Sequence, residues 1–236
     1  MGEASRATSP ARAALRRRLL PAAVLVVVAA SLFAILAGDV ASRAPLTVVD
    51  VAIANWLHRH ATPPLVTAML VWTQLHSTVA VGAYAAVATL VLAFERSWQR
   101  AALVVVAVGG GLALNALMKL AFQRARPSFD DPLLTLATYS FPSGHVAGST
   151  IFYGLVVAAV FARTTSVRRR VLAVVGALLA VALVAFSRML LGAHYLSDVL
   201  AAFAEGIAWL AISIAALAAL AALWRDAPHA SGAEAA

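Results

Sequence analysis

The chain has 236 residues, 63% hydrophobic and only 12% charged, with a mean hydropathy of +0.90. An ordinary soluble domain carries about 25% charged residues, so this composition excludes one. The apolar residues also fall in blocks long enough to span a bilayer, which predicts an all-α polytopic membrane protein. The net charge of +8 comes from arginines dispersed among apolar spans, a distribution that suits membrane topology and not a nucleic-acid partner. There is no cysteine, so disulfides and thiolate metal sites are excluded.

Residues 1–18, with Arg6, Arg12, Arg16, Arg17 and Arg18, read as a disordered basic tail against an anionic membrane face. Leu19–Ala37 is the first span; the apolar core of a cleaved signal peptide would be shorter, about 7–15 residues. In the mixed segment that follows, Val51, Ile53, Ala54, Trp56 and Leu57 alternate with Asp50, Asn55, His58, Arg59 and His60. That pattern predicts an amphipathic helix lying in the extracytoplasmic interface, ended by Pro63 and Pro64. Leu65–Trp72 is too short to cross alone and is expected on the outer rim of the bundle. Ser77–Phe94 is the second span and Ala101–Phe122 the third, with Gly109, Gly110 and Gly111 midway where a neighbouring helix can come close. Gln123–Pro142 is a polar segment. Val146–Phe161, Val171 to about Leu191, and roughly His194–Trp224 complete six spans. The membrane domain is thus 19–224, followed by a short polar tail, 225–236.

Six spans put both termini on one side of the membrane. That side takes 12 of the 18 Lys and Arg residues, and the other takes 6. The bias marks the termini as cytoplasmic.

On this threading three polar clusters meet at the extracytoplasmic face. The first is Lys-x6-Arg-Pro: Lys119, one turn from the end of the third span, then Arg126 and Pro127. A lysine there either snorkels to the headgroups or faces a polar cavity. Asn115, one turn earlier on the same face, points to the cavity. Arg126 offers a fork of donors suited to phosphate oxygens, and Arg124 reads as a rim charge. The second is Pro142-Ser143-Gly144-His145, with Ser143 as helix N-cap and Gly144 leaving the backbone open at an anion-attracting helix start. The third is Ser187-Arg188-x5-His194-x3-Asp198. His194 and Asp198, four apart, fall on one helical face, and Gly192 is a helix stop that folds Arg188 back toward the histidine. Three cations, two histidines, a carboxylate and a helix N-terminus make a kit for binding a phosphoryl group and cleaving its ester.

These three motifs, in this order, resemble the signature of the type 2 phosphatidic acid phosphatase superfamily, which includes lipid phosphate phosphatases, undecaprenyl diphosphate phosphatases, glucose-6-phosphatase and vanadium haloperoxidases. They run from Lys119 to Asp198, and the six-span layout resembles the integral-membrane branch. The resemblance implies a hydrolase of membrane lipid phosphates or diphosphates, with His194 as nucleophile, Asp198 orienting it and His145 as general acid and base. Lys119, Arg126, Arg188, Ser143 and Gly144 would hold the phosphate. It implies no metal and no cofactor, and a bell-shaped pH profile from the two histidines. A lipid phosphotransferase and a non-catalytic lipid-binding protein of the same fold are the alternatives; the large soluble extensions of a haloperoxidase are lacking. The sequence leaves lipid preference and oligomeric state open. Glu205, two turns beyond Asp198 on its face, is a candidate intramembrane carboxylate. His58 and His60 are expected to face water, Asp130 and Asp131 to form a solvated turn, and His76 has no assigned role.

Overall fold

The structure, a computed structural model, describes residues 10–43 and 45–226. Of the two expected tails, residues 1–9 and 227–236 lie outside the described residues. Residues 10–18, expected as disordered tail, instead continue the first helix.

The described residues form helices α1 (Pro10–Ser42), α2 (Leu46–Arg59), α3 (Pro63–Leu75), α4 (Thr78–Phe94), α5 (Trp98–Val104), α6 (Gly110–Phe122), α7 (Gly144–Arg163), α8 (Val167–Leu190) and α9 (Leu196–Asp226). A π-helical turn, Val105–Gly109, joins α5 to α6. Six stretches are long and apolar enough to cross a membrane: Leu19–Ser42, Pro63–Phe94, Trp98–Phe122, Gly144–Arg163, Val167–Leu190 and Leu196–Ala222. Large apolar side chains such as Val24, Val28, Leu90, Leu117 and Leu179 stay exposed on their outer faces. In water that surface would be costly, but in a bilayer it meets lipid chains of equal polarity.

Lipid supplies no hydrophobic drive between helices, so the bundle is held by close packing of small residues. Gly206 of α9 lies so near α7 that a Cβ there would stand 2.8 Å from Thr150 and 3.1 Å from the Ala147 carbonyl. Gly110 and Gly111 receive Trp209 of α9 in the same manner, while Gly109 has nothing within 4 Å. A π turn leaves backbone carbonyls off the regular ladder. Here the Trp209 indole donates to the Ala107 carbonyl at 3.0 Å and to that of Val106 at 3.3 Å. The expectation of a close approach at the triple glycine therefore applies to two of the three.

Two expectations about the N-terminal third are corrected. Leu65–Trp72 does not stand apart from the spans: α3 runs on into α4 through His76 and Ser77 in one apolar stretch of 32 residues, burying Met69 and Thr73 while Leu70, Val71 and Leu75 stay exposed. α2 is amphipathic, but its buried stripe is Asp50, Ala54 and Leu57, while Trp56 and Val51 are exposed. The acid faces inward because it has partners there.

The triple glycine generates a paired prediction. Gly111→Leu drives its side chain into Ile151 and Trp209 and should destabilise the protein by about 1–3 kcal/mol, seen as a lower unfolding temperature in detergent. Gly109→Ala should leave that temperature unchanged or slightly raised.

Candidate active site

The C-terminal end of α8 is closed by a turn that sets two of the expected residues. Gly192 takes φ +68, a left-handed conformation suited to glycine. The Gly192 N–H donates to the Met189 carbonyl and the Ala193 N–H to the Arg188 carbonyl, both at 3.0 Å, which is the Schellman arrangement. The Arg188 carbonyl also accepts from the His194 N–H at 3.2 Å. The turn thus ties the arginine to the histidine directly. The Arg188 side chain is buried; its Nη1 donates to Thr73 Oγ1 of α3 at 3.0 Å and its Nε has no partner.

His194 lies just outside α9, not within its first turn as the spacing suggested, and Tyr195 takes the cap position. Asp198, at the third position of α9, reaches back so that its Oδ2 accepts from the Tyr195 N–H at 2.9 Å, half of a capping box. The same Oδ2 lies 3.4 Å from His194 Nδ1. Across the ring, His194 Nε2 lies 3.3 Å from Arg126 Nη1. One ring nitrogen therefore faces the carboxylate and the other faces a cation.

Asp198 is fully buried, and what makes that tolerable is Arg124, expected at the rim and found inside. Arg124 Nη1 donates to Asp198 Oδ1 at 2.6 Å and to Ser197 Oγ at 2.7 Å, its Nη2 donates to Asp50 Oδ2 at 2.8 Å, and its guanidinium lies over the Tyr195 ring. Asp50 in turn accepts from the Ser197 N–H at 2.9 Å and the Ser197 hydroxyl at 2.5 Å. A carboxylate from α2 thus caps the N-terminus of α9, satisfying a donor that a helix start leaves free. Burial works against the Arg124 charge, but Asp198 and Asp50 outweigh it and hold its pKa above the usual value.

The segment between α6 and α7 forms the remaining wall. Lys119 Nζ donates to the Tyr139 carbonyl at 2.7 Å. Arg126 donates to the carbonyls of Thr138 at 2.6 Å, Ala193 at 2.5 Å and Tyr139 at 3.0 Å, and to Thr138 Oγ1 at 2.8 Å. The Ser143 N–H donates to the Asp198 carbonyl at 3.2 Å, joining the second and third motifs. Ser143 holds the N-cap position of α7, but its hydroxyl makes no cap bond; it is buried and unpartnered. A Cβ on Gly144 would meet Asn115 Oδ1 at 3.1 Å, so the glycine also lets α7 pack against α6. The half-buried His145 lies within electrostatic reach of Arg188, His194, Arg126 and Lys119. All eight expected site residues therefore gather at one end of the bundle.

Other residues depart from expectation or extend it. Glu205 is buried and paired with Asn115, whose Nδ2 donates to its Oε2 at 2.8 Å, leaving Oε1 unpartnered. His58 does not face water: it stacks on Phe129 with ring centroids 4.0 Å apart. Phe129 also packs on Gly192, where a Cβ would come within 2.8 Å of it. His60 is exposed, stacked on Trp56. His76 bonds to Tyr153 Oη at 2.8 Å and to the Trp72 carbonyl at 2.9 Å. Asp130 and Asp131 are exposed. Sequence reasoning missed Asp50, Arg124, Ser197 and Thr73 as supports. One signal was available for Asp50, the only acid in α2, since its spacing to Ala54 and Leu57 places it on the inner stripe.

Burial, first, and then the charges of Arg188, Arg126 and Lys119 hold the His194 pKa well below the usual histidine range. The ring is therefore neutral near pH 7 and able to act as a nucleophile or base.

Residues 100–221, just over half of the chain, match the family model of the PAP2 superfamily. Phosphatidylglycerophosphatase B of Bacillus subtilis (strain 168) is 29% identical over 116 residues, 48% of this chain and 56% of that protein, so the match spans little more than half of the relative's length. The crystal structure of a transmembrane PAP2 type phosphatidylglycerolphosphate phosphatase from Bacillus subtilis superposes with a TM-score of 0.72 at 25% identity, covering 80% of this chain and 94% of that one.

Removing Arg124 should leave two buried carboxylates without their cation. Arg124→Ala is expected to destabilise the protein by about 3–5 kcal/mol, measured as a fall in unfolding temperature. Combining Arg124→Leu with Asp50→Leu should recover part of that loss.

Proposed function

The chain belongs to the PAP2 superfamily, and from its site we propose that it is an integral-membrane lipid phosphate phosphatase that works through a phosphohistidine on His194. The observation that carries this reading is the His194 ring, with Nδ1 toward Asp198 and Nε2 toward Arg126 in a pocket shared with Lys119, Arg188 and His145. Nδ1 has no hydrogen bond among the described residues; closing its 3.4 Å gap to Asp198 Oδ2 keeps the proton on Nδ1 and leaves the Nε2 lone pair free. Nε2 attacks phosphorus, the P–N bond forms, and the P–O bond to the lipid alcohol breaks as His145 gives that oxygen a proton. His145 then takes a proton from water, whose oxygen attacks phosphorus and releases phosphate, and His194 returns to its neutral form. Splitting the reaction this way replaces one high barrier by two lower ones.

Lys119, Arg126 and Arg188, with the unpartnered Ser143 hydroxyl and the open backbone at Gly144, hold the phosphoryl oxygens. Charge stabilisation of this kind is commonly the largest catalytic term, and on this reading neither metal nor cofactor is required. Arg126 Nη1 and His194 Nε2 lie 3.3 Å apart, so binding of the phosphoryl group between them requires the two to separate. The arginine distribution puts both termini in the cytoplasm and the site at the extracytoplasmic face. The substrate is a lipid phosphate or diphosphate entering from the bilayer. Among the candidates, the name of the Bacillus relative favours a glycerophospholipid phosphate over a polyprenyl diphosphate.

The deciding experiment is phosphate release by purified protein across a panel of lipid monophosphates and diphosphates, with and without an acceptor lipid alcohol. His194→Ala should lower kcat by on the order of 10⁴-fold or more while the unfolding temperature holds; full activity in that variant would refute the mechanism. Activity should persist with chelator. Transfer to the acceptor in place of phosphate release would identify a phosphotransferase.

A second prediction comes from electrostatics. A depressed His194 pKa means that kcat/KM holds as pH falls through about 6.5, the ordinary histidine value, and declines only below it. Arg126→Gln removes a charge that opposes protonation of the ring, so its acid limb should move to higher pH. An acid limb at or above the ordinary value in the unaltered protein counts against this environment.

A further inference from the structure

At the end of the bundle opposite His194, α4, α5 and α7 part around a cavity of about 430 Å³. Small side chains cause the gap: Ala88 of α4 and Ala159 of α7 leave space that Leu92 and Leu103 border without filling. The walls are apolar, and their ionisable members are Arg100 near the start of α5 and Arg163 at the end of α7. Both arginines are exposed, and neither guanidinium has an acceptor among the described residues. Arg170 nearby is occupied, bonded to the carbonyls of Thr164 and Phe161 and stacked on the Phe161 ring. The ion pairs among the described residues all lie at the other end, so none neutralises these two cations.

An apolar slot between membrane helices with two uncompensated guanidinium groups at a membrane boundary has the chemistry of one ligand class. We propose that the cavity holds an acyl chain of an anionic membrane phospholipid whose phosphate is bound by Arg100 and Arg163. Basic pockets between transmembrane helices bind anionic headgroups in this way, and the arginine fork matches phosphate oxygens. The occupant is a resident lipid distinct from any substrate. Its phosphate cannot reach His194, because α7, 20 residues long, separates the two ends by about 30 Å. On the orientation inferred from the arginine bias, the lipid comes from the cytoplasmic leaflet.

The test uses the full chain in phosphatidylcholine nanodiscs titrated with phosphatidylglycerol, a phosphodiester. Retained lipid is counted by native mass spectrometry, and the unfolding temperature is followed in parallel. One phosphatidylglycerol should be retained per chain with a rise in unfolding temperature. Arg100→Gln and Arg163→Gln should each weaken retention about fivefold, equivalent to about 1 kcal/mol. Ala159→Leu, which fills the slot and keeps both charges, should abolish it; if that variant fails to fold, Ala88→Leu fills the slot from the other wall. His194→Ala should retain the lipid fully, so loss of the proposed hydrolysis leaves this result standing. Equal retention of phosphatidylcholine, no effect of either arginine substitution, or loss of retention in His194→Ala would each overturn the proposal.

Discussion

The arrangement at the site depends on keeping one buried carboxylate charged and still. Asp198 has no exposure, and an isolated carboxylate in such a place would give up its charge or its position. Arg124 and the Tyr195 N–H work against both, and Arg124 is itself held by Asp50 from a helix some seventy residues earlier. Through Asp198 the constraint reaches the His194 ring, and through its carbonyl it reaches the start of α7 at Ser143. The site is thus a network in which two acids share one arginine, with Arg126 on the far side of the histidine ring and Lys119 and Arg188 within its electrostatic reach.

That division of charge has a chemical meaning. Arg124 is saturated by carboxylates and its charge is spent on structure. Lys119 and Arg126 are bonded mainly to backbone carbonyls, which restrain their position but leave their charge uncompensated, and Arg188 has a donor to spare. Two arginines two residues apart therefore do opposite work. The Lys-x6-Arg-Pro motif singles out Arg126, but the work of Arg124 depends on the distant acids it meets, Asp50 and Asp198.

The same reasoning explains what the sequence could reveal. Lys119, Arg126, Ser143, Gly144, His145, Arg188, His194 and Asp198 were legible because they occur at fixed spacings at the ends of apolar runs, and topology brings those ends together. The spans were legible because hydropathy is additive along the chain. For Asp50 the spacing to Ala54 and Leu57 was a signal outweighed by its charge, since an acid on an amphipathic helix is ordinarily its wet face and only a partner contributed by another helix reverses that. Read apart from α4, α3 is too short to cross; the helices do end and restart at His76 and Ser77, but together they make one apolar stretch of 32 residues. His58 was misjudged for the related reason that its aromatic partner lies in an irregular segment, where periodicity carries no information.

Asp50, His58 and Thr73 have one more property in common: all three precede the segment that matches the family model, residues 100–221. Every motif residue lies inside that segment, and three of the groups that hold it in shape lie outside. The matching segment is therefore not self-supporting. A chimera that joined it to an N-terminal third without these groups would keep the motifs intact, yet lose the carboxylate that caps α9, the ring against Phe129 and the hydroxyl on Arg188. Such exchanges become workable only when α2 and α3 travel with the segment they brace.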